Sequence, residues 1–273
     1  MTAARSIVLA IAQAAAAASP SPAPSPAAVP NPCGSILSIV TRPTVTTSVC
    51  TVQTGRVLVE NGYTNTVTTG PGGGVTAAYP QSLLRIGTAD PKFELDATPP
   101  SFERSSLAGA TIGGSSDIGL GAKYELGYSK RWLYGVNAAI TYPTGTQTFS
   151  AGNTEFTGSF NWSYTVNSCV GIAGATSFNA LSGLNSVGGA QSYFAFIPSL
   201  VVTASLPGPS EFFGEYAYFS QAGVGLGGKS LIDLGYVRDL GEHVQLDVEY
   251  GFSPTVLAGQ KQHYVGAGAS FMF

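Results

Sequence analysis

Along much of the chain apolar and polar residues alternate one by one, and that period of two predicts β-strands rather than helices. The cleanest stretch is Glu155 to Val166. Phe156, Gly158, Phe160, Trp162, Tyr164 and Val166 share one face, and Glu155, Thr157, Ser159, Asn161, Ser163 and Thr165 the other. Asp117 to Tyr128 repeats it, with Ile118, Leu120, Ala122, Tyr124, Leu126 and Tyr128 opposite Asp117, Lys123 and Glu125. Trp132–Tyr142, Ile232–Arg238, Val244–Phe252 and Tyr264–Phe273 follow the same rule. Together the segments predict strands near 55–68, 80–88, 92–99, 116–128, 131–142, 154–166, 169–179, 192–204, 210–220, 229–238, 243–252 and 263–273.

The connections alternate in length. Short ones are predicted at 89–91, 129–130, 167–168, 205–209 and 239–242, and long ones at 69–79, 100–115, 143–153, 180–191, 221–228 and 253–262. About twelve strands with this rhythm predict an all-β fold, an up-and-down antiparallel transmembrane β-barrel over 55–273 with both termini periplasmic. Closure is required, because a free sheet edge in hydrocarbon leaves backbone groups unpaired. Aromatic residues then fall in two belts, where amphipathic rings meet the headgroups. Tyr128, Trp132, Tyr164, Tyr236 and Phe273 form one; Tyr142, Phe156, Tyr218 and Phe252 form the other.

Composition agrees with a bacterial outer-membrane location. Charged residues make up 10% of the chain, against about 25% in typical soluble domains. Glycine is abundant at 35 residues, and past the N-terminus no run approaches the roughly 20 apolar residues of a spanning helix. A net charge of -3 provides no basic patch, so nucleic acid is not an expected partner. The start, with Arg5, the apolar Ile7–Ala12 and an Ala tract, reads as a signal peptide over 1–18, with a disordered Ala-rich tail as the alternative. Residues 19–54, opening on a Pro/Ser/Ala stretch, read as a periplasmic segment outside the barrel. In an oxidising periplasm Cys33 and Cys50 could close a loop; Cys169 reads as a small residue in a turn. The last strand, ending on Phe273 with Phe271, Ala269, Ala267 and Val265 on its face, resembles the signal read by the barrel assembly machinery.

Several stretches resemble the outer-membrane family labelled for the meta pathway of phenol degradation, a group of transporter-like barrels. They are Glu60-Asn61-Gly62-Tyr63, Leu83-Leu84-Arg85-Ile86-Gly87 running on to Phe93-Glu94-Leu95, Ser116 to Tyr124, Tyr142-Pro143-Thr144-Gly145 and Val244-Gln245-Leu246-Asp247. Their order agrees over roughly 56–273, while the turn Thr88–Lys92 is one residue longer than the family pattern. The resemblance implies a barrel and the passage of small organic compounds.

Alternation points Arg56, Glu60, Arg85, Glu94, Asp96, Asp117, Lys123, Glu125, Asp233, Asp247 and Glu249 into the lumen. Charges of both signs there either pair and fill the narrow interior or line a pore. Gly223–Ser230, GVGLGGKS, matches the phosphate-loop pattern, but the residues after it alternate as a strand where that loop needs a helix. No nucleotide is expected. His243 and His263 lack catalytic neighbours in sequence, and two His with three scattered Cys give no metal spacing. No enzyme activity, cofactor or metal is expected. The leading expectation is a passive channel or facilitator for small, aromatic or hydrophobic solutes; the alternative is a structural or surface-interaction barrel with a plugged lumen. Membrane lipids and lipopolysaccharide are the other expected partners.

Overall fold

The computed structural model describes residues 29, 31–185 and 188–273. The predicted signal peptide and the first part of the Pro-rich segment lie outside the described residues, and the architecture below is that of the unit Asn31–Phe273.

Fifteen strands form one antiparallel sheet that closes on itself. They are β1 (Val57–Thr69), β2 (Gly74–Tyr79), β3 (Leu83–Gly87), β4 (Phe93–Thr98), β5 (Phe102–Leu107), β6 (Ala110–Ser115), β7 (Ile118–Tyr128) and β8 (Trp132–Tyr142), then β9 (Glu155–Thr165), β10 (Val170–Leu184), β11 (Ala190–Leu206), β12 (Ser210–Phe219), β13 (Lys229–Asp239), β14 (Val244–Leu257) and β15 (Gln260–Met272). The closing ladder runs from Leu58 opposite Met272 to Thr69 opposite Lys261. Three wall strands are each built from two pieces: β3 with β2, β4 with β5, and β7 with β6. Counted as continuous staves, the wall has twelve strands. The cis Tyr79–Pro80 bond and Pro99–Pro100 fall at two of the joints; proline has no N–H to give a ladder, so the hydrogen-bond row is interrupted there and resumes at Gln81 and Ser101.

The outer face is apolar and the inner face polar. On β13, Ile232, Leu234 and Tyr236 face out between the inward Leu231, Asp233 and Val237. Leu234 and Val248 are more than half exposed, whereas Glu60, Arg85, Glu94 and Asn161 are fully buried. A water-soluble fold shows the reverse. None of the described helices is long and apolar enough to cross a membrane; this chain is built to cross with strands.

The connections at the end carrying Phe273, here the turn end, are short, as expected. At the other end four of the six long connections are largely strand instead of loop. Ladders run on through 74–79, 102–115, 180–184, 190–191 and 253–262, and two of these hairpins close on Ala108-Gly109 and Ala258-Gly259, all four residues at positive φ. Such tight turns match the twist of the strands and let pairing continue past any bilayer. The expected loops at 143–153 and 221–228 remain irregular.

The largest difference lies at the N-terminus. Residues 31–54, expected outside the barrel, fold inside it. A short helix α1 (Ile36–Ile39), capped by Ser35, packs with Val40, Val49 and Val52 against Leu58, Leu133 and Met272 of the wall. Cys33 and Cys50 are disulfide-bonded, seventeen residues apart, in this cluster. An alternation rule cannot foresee such a plug, which has its own apolar face and depends on lumen groups far away in sequence. The bridge closes a loop whose model entropy is worth about 3 kcal/mol. Replacing both cysteines with serine should therefore leave the barrel folded, as judged by its heat-modifiable gel shift, while thermolysin or proteinase K cuts within 31–54 much faster than in the parent.

Candidate functional site: a plugged, charged lumen

The wall presents inward carboxylates to the plug's backbone. Glu60 accepts from the N–H groups of Thr41 at 3.2 Å and Arg42 at 3.0 Å. Glu94 accepts from Val52 at 2.6 Å, and Glu215, from β12, accepts from Val45 and Thr46, each at 2.6 Å. Thr46 and Ser199 bond through their hydroxyls at 2.7 Å. Three wall residues thus satisfy the exposed donors of a segment with little regular structure of its own.

Arg85 binds wall to plug. Its Nε donates to Glu94 at 3.0 Å, one terminal nitrogen to Glu60 at 2.9 Å and to the Ile39 carbonyl at 2.5 Å, and the other to Glu94 at 3.1 Å and the Cys50 carbonyl at 2.8 Å. Lys123 adds a second cation 3.2 Å from Glu94, and Asp96 lies 4.0 Å from Arg85. A guanidinium has five donors in a fixed fork, and here all have acceptors.

The plug supplies its own cation. Arg42 approaches Asp247 at 3.5 Å and the Ala267 carbonyl at 3.4 Å, in a pit made by two glycines. A Cβ on Gly62 would stand 1.9 Å from the guanidinium, and one on Gly268 2.5 Å from its Nε. Gly87 allows a similar approach, since a Cβ there would sit 1.9 Å from the Gln53 carbonyl oxygen. Farther from the turn end, the Tyr264 hydroxyl lies between Asp233 at 3.2 Å and Glu249 at 3.1 Å. Lys229 pairs with Gln262 and sits 6.0 Å above the Phe219 ring.

Two cavities flank the plug. The first, about 330 Å³, lies at the turn end between residues 35–50 and β8 to β14. The second, about 320 Å³, lies on the other side and is lined by Thr64, Gln81, Lys229, Glu249 and Tyr264. Arg42 and Pro43 line both.

Most of the sequence-proposed lumen residues meet in these networks: Glu60, Arg85, Glu94, Asp96 and Lys123 in one, Asp233, Asp247 and Glu249 around the other. Glu125 lies against the Cys33 sulfur at 3.6 Å. Two others do something different. Asp117 accepts from the N–H groups of Gly145 at 2.7 Å and Ala151 at 2.8 Å, so it fastens the 143–154 loop at the rim. Arg56 is half-buried in the turn before β1. Sequence reasoning passed over Glu211, Glu215 and Gln245, although Glu211 and Glu215 share the inward parity of Phe213 and so carried a usable signal. Arg42 carried none.

On the outer face Trp132 packs on Tyr164 at 4.6 Å and Phe212 on Tyr236 at 5.2 Å, with Tyr128 and Phe273 exposed at the same end. Tyr142, Phe156, Tyr218 and Phe252 are exposed toward the other end. Cys169 is a free, exposed thiol in the turn before β10. The phosphate-loop pattern ends in strand β13, without the helix that such a loop requires. Among the described residues no three His, Cys, Asp or Glu converge as metal ligands.

A closed antiparallel barrel, apolar outside and polar inside, has the fold of bacterial outer-membrane proteins. By sequence the chain matches no protein-family model and no curated protein. Solved structures agree in fold: an outer-membrane channel from Pseudomonas putida F1 has 11% identity and a TM-score of 0.61, covering 82% of this chain and 98% of that one. The NanC porin has 10% identity and a TM-score of 0.52 over 77% and 98%. The translocator domain of the autotransporter NalP from Neisseria meningitidis has 12% identity and a TM-score of 0.52 over 81% and 90%.

Removing one member of a buried ion cluster leaves its partners charged and unpaired, at a cost of about 3–5 kcal/mol. Arg85→Ala, which strands Glu60 and leaves Glu94 to Lys123 alone, should lower the urea midpoint of the refolded barrel accordingly. Arg85→Lys should recover little, because an ammonium cannot span both carboxylates and both plug carbonyls.

Proposed function

We propose that the protein is a passive outer-membrane channel for small solutes, held shut by residues 31–54. The observation that supports this best is that Arg42 and Pro43 line both lumen cavities. Arg42, held by a 3.5 Å ion pair with Asp247 and by a carbonyl, stands with Pro43 between the two spaces. The narrower kinship with the phenol meta-pathway family, and aromatic or hydrophobic solutes as cargo, belong to this reading. So do the outer-membrane location, the periplasmic placement of the turn end, recognition of the Phe273 strand by the assembly machinery, and lipopolysaccharide around the far belt.

The rival is a permanently stoppered structural barrel, which the complete sealing of Arg85 favours. Planar-bilayer recordings separate the two. The parent should show small, intermittent openings, and Arg42→Ala, which breaks the partition but spares the Arg85 cluster, should open to a stable level several times larger. A parent and variant that both fold, by gel shift, and both stay silent would leave the stoppered barrel. Charge reversal at Lys123 should alter folding yield more than ion selectivity, since its ammonium is committed to Glu94.

A further inference from the structure

The cavity at the turn end has a chemistry that the plug and the ion clusters do not use. One side of it is apolar, where Val201, Phe213 and Val237 form a buried cluster with Leu37 of the plug packed on it, and much of the rest is serine and threonine. Into this space faces Glu211, whose carboxylate has no hydrogen-bond or ion-pair partner among the described residues. Gln245, 1% exposed, lines the same cavity, and its amide orientation is fixed from behind. Its Nε2 donates to Asp239 at 3.2 Å, and its oxygen is buried away from the open space. Arg42, the one cation lining the cavity among the described residues, is already engaged by Asp247 in its glycine pit.

A chamber with one apolar side and an unpaired carboxylate suits a ligand that brings an apolar body and a positively charged donor. We propose that this cavity binds a small apolar molecule carrying a primary ammonium group, the ring or alkyl body against Val201, Phe213 and Val237 and the ammonium at the Glu211 carboxylate. Pro32, Ser35 and Thr165 are exposed at its margin, so a ligand reaches it from the turn end with the plug in place. The assignment deepens the channel reading and rests on it for its role, naming the class of solute handled on that side. Binding itself needs no current.

The test is titration calorimetry of the refolded full-length barrel in detergent at neutral pH, with benzylamine, benzyl alcohol and benzoate as probes of one shape and three charges. Benzylamine should bind, benzyl alcohol about tenfold or more weakly, and benzoate not at all, because a charge-assisted hydrogen bond adds roughly 1.5–3 kcal/mol. Glu211→Gln, isosteric and without the charge, should erase the preference for the amine. Val201→Trp should fill the chamber and abolish binding while the gel shift stays that of a folded barrel. No benzylamine binding, equal binding of the three probes, or unchanged selectivity in Glu211→Gln overturns the proposal even if the barrel conducts. Selective binding by a barrel that passes no current would sustain the site and refute the channel.

Discussion

A cation sealed inside a barrel must be neutralised from several sides at once, and Arg85 imposes that demand on everything around it. Two carboxylates on β1 and β4 meet part of it, and two carbonyls of the plug meet the rest. Without the plug, the guanidinium would turn two of its donors toward an empty lumen. Without Arg85, Glu60 and Glu94 would be buried anions that still hold the N–H groups of Thr41, Arg42 and Val52. Wall and plug therefore stabilise each other, although neither has the continuous apolar core of a soluble domain. The apolar cluster around the disulfide adds to this at the turn end, where α1 meets Leu58, Leu133 and Met272.

This division of labour explains how the interior can be both sealed and spacious. One flank of the lumen, β1 through β7, is consumed by the Arg85 network. The opposite flank, β9 through β14, touches the plug more sparingly, through Glu215, Ser199 and the apolar cluster at Val201, and that is where the turn-end cavity remains. Charge placement thus sets where the plug is tight and where a solute finds room.

Much of the wall was legible in the sequence because a half-wet, half-lipid sheet must alternate, and segments such as Glu155–Val166 do so without exception. Inward parity also places Glu60, Arg85, Glu94 and Lys123 on the face where they are buried. Extended hairpins were missed because Ala108-Gly109 and Ala258-Gly259 lack the Asn-Gly or Asp-Gly signature of a tight turn, so alanine at positive φ reads as ordinary loop. The plug was missed for a deeper reason. Residues 31–54 contain no long periodic element, and their donors are satisfied by side chains up to 170 residues away. The motifs Glu60-Asn61-Gly62, Arg85-Ile86-Gly87 and Val244-Gln245-Leu246-Asp247 read as scattered matches, yet each supplies a contact to that segment or to the cavity beside it.

The glycine pit that receives Arg42 is divided between the first strand and the last: Gly62 belongs to β1, Gly268 to β15, and the two are directly opposite in the closing ladder. In an open sheet the pit does not exist, because its halves stand at opposite edges. The socket for the plug is therefore created by the same event that joins the two ends of the wall. Seating of Arg42 is a mark of circularity, available only to a barrel whose final seam has zipped in the correct register.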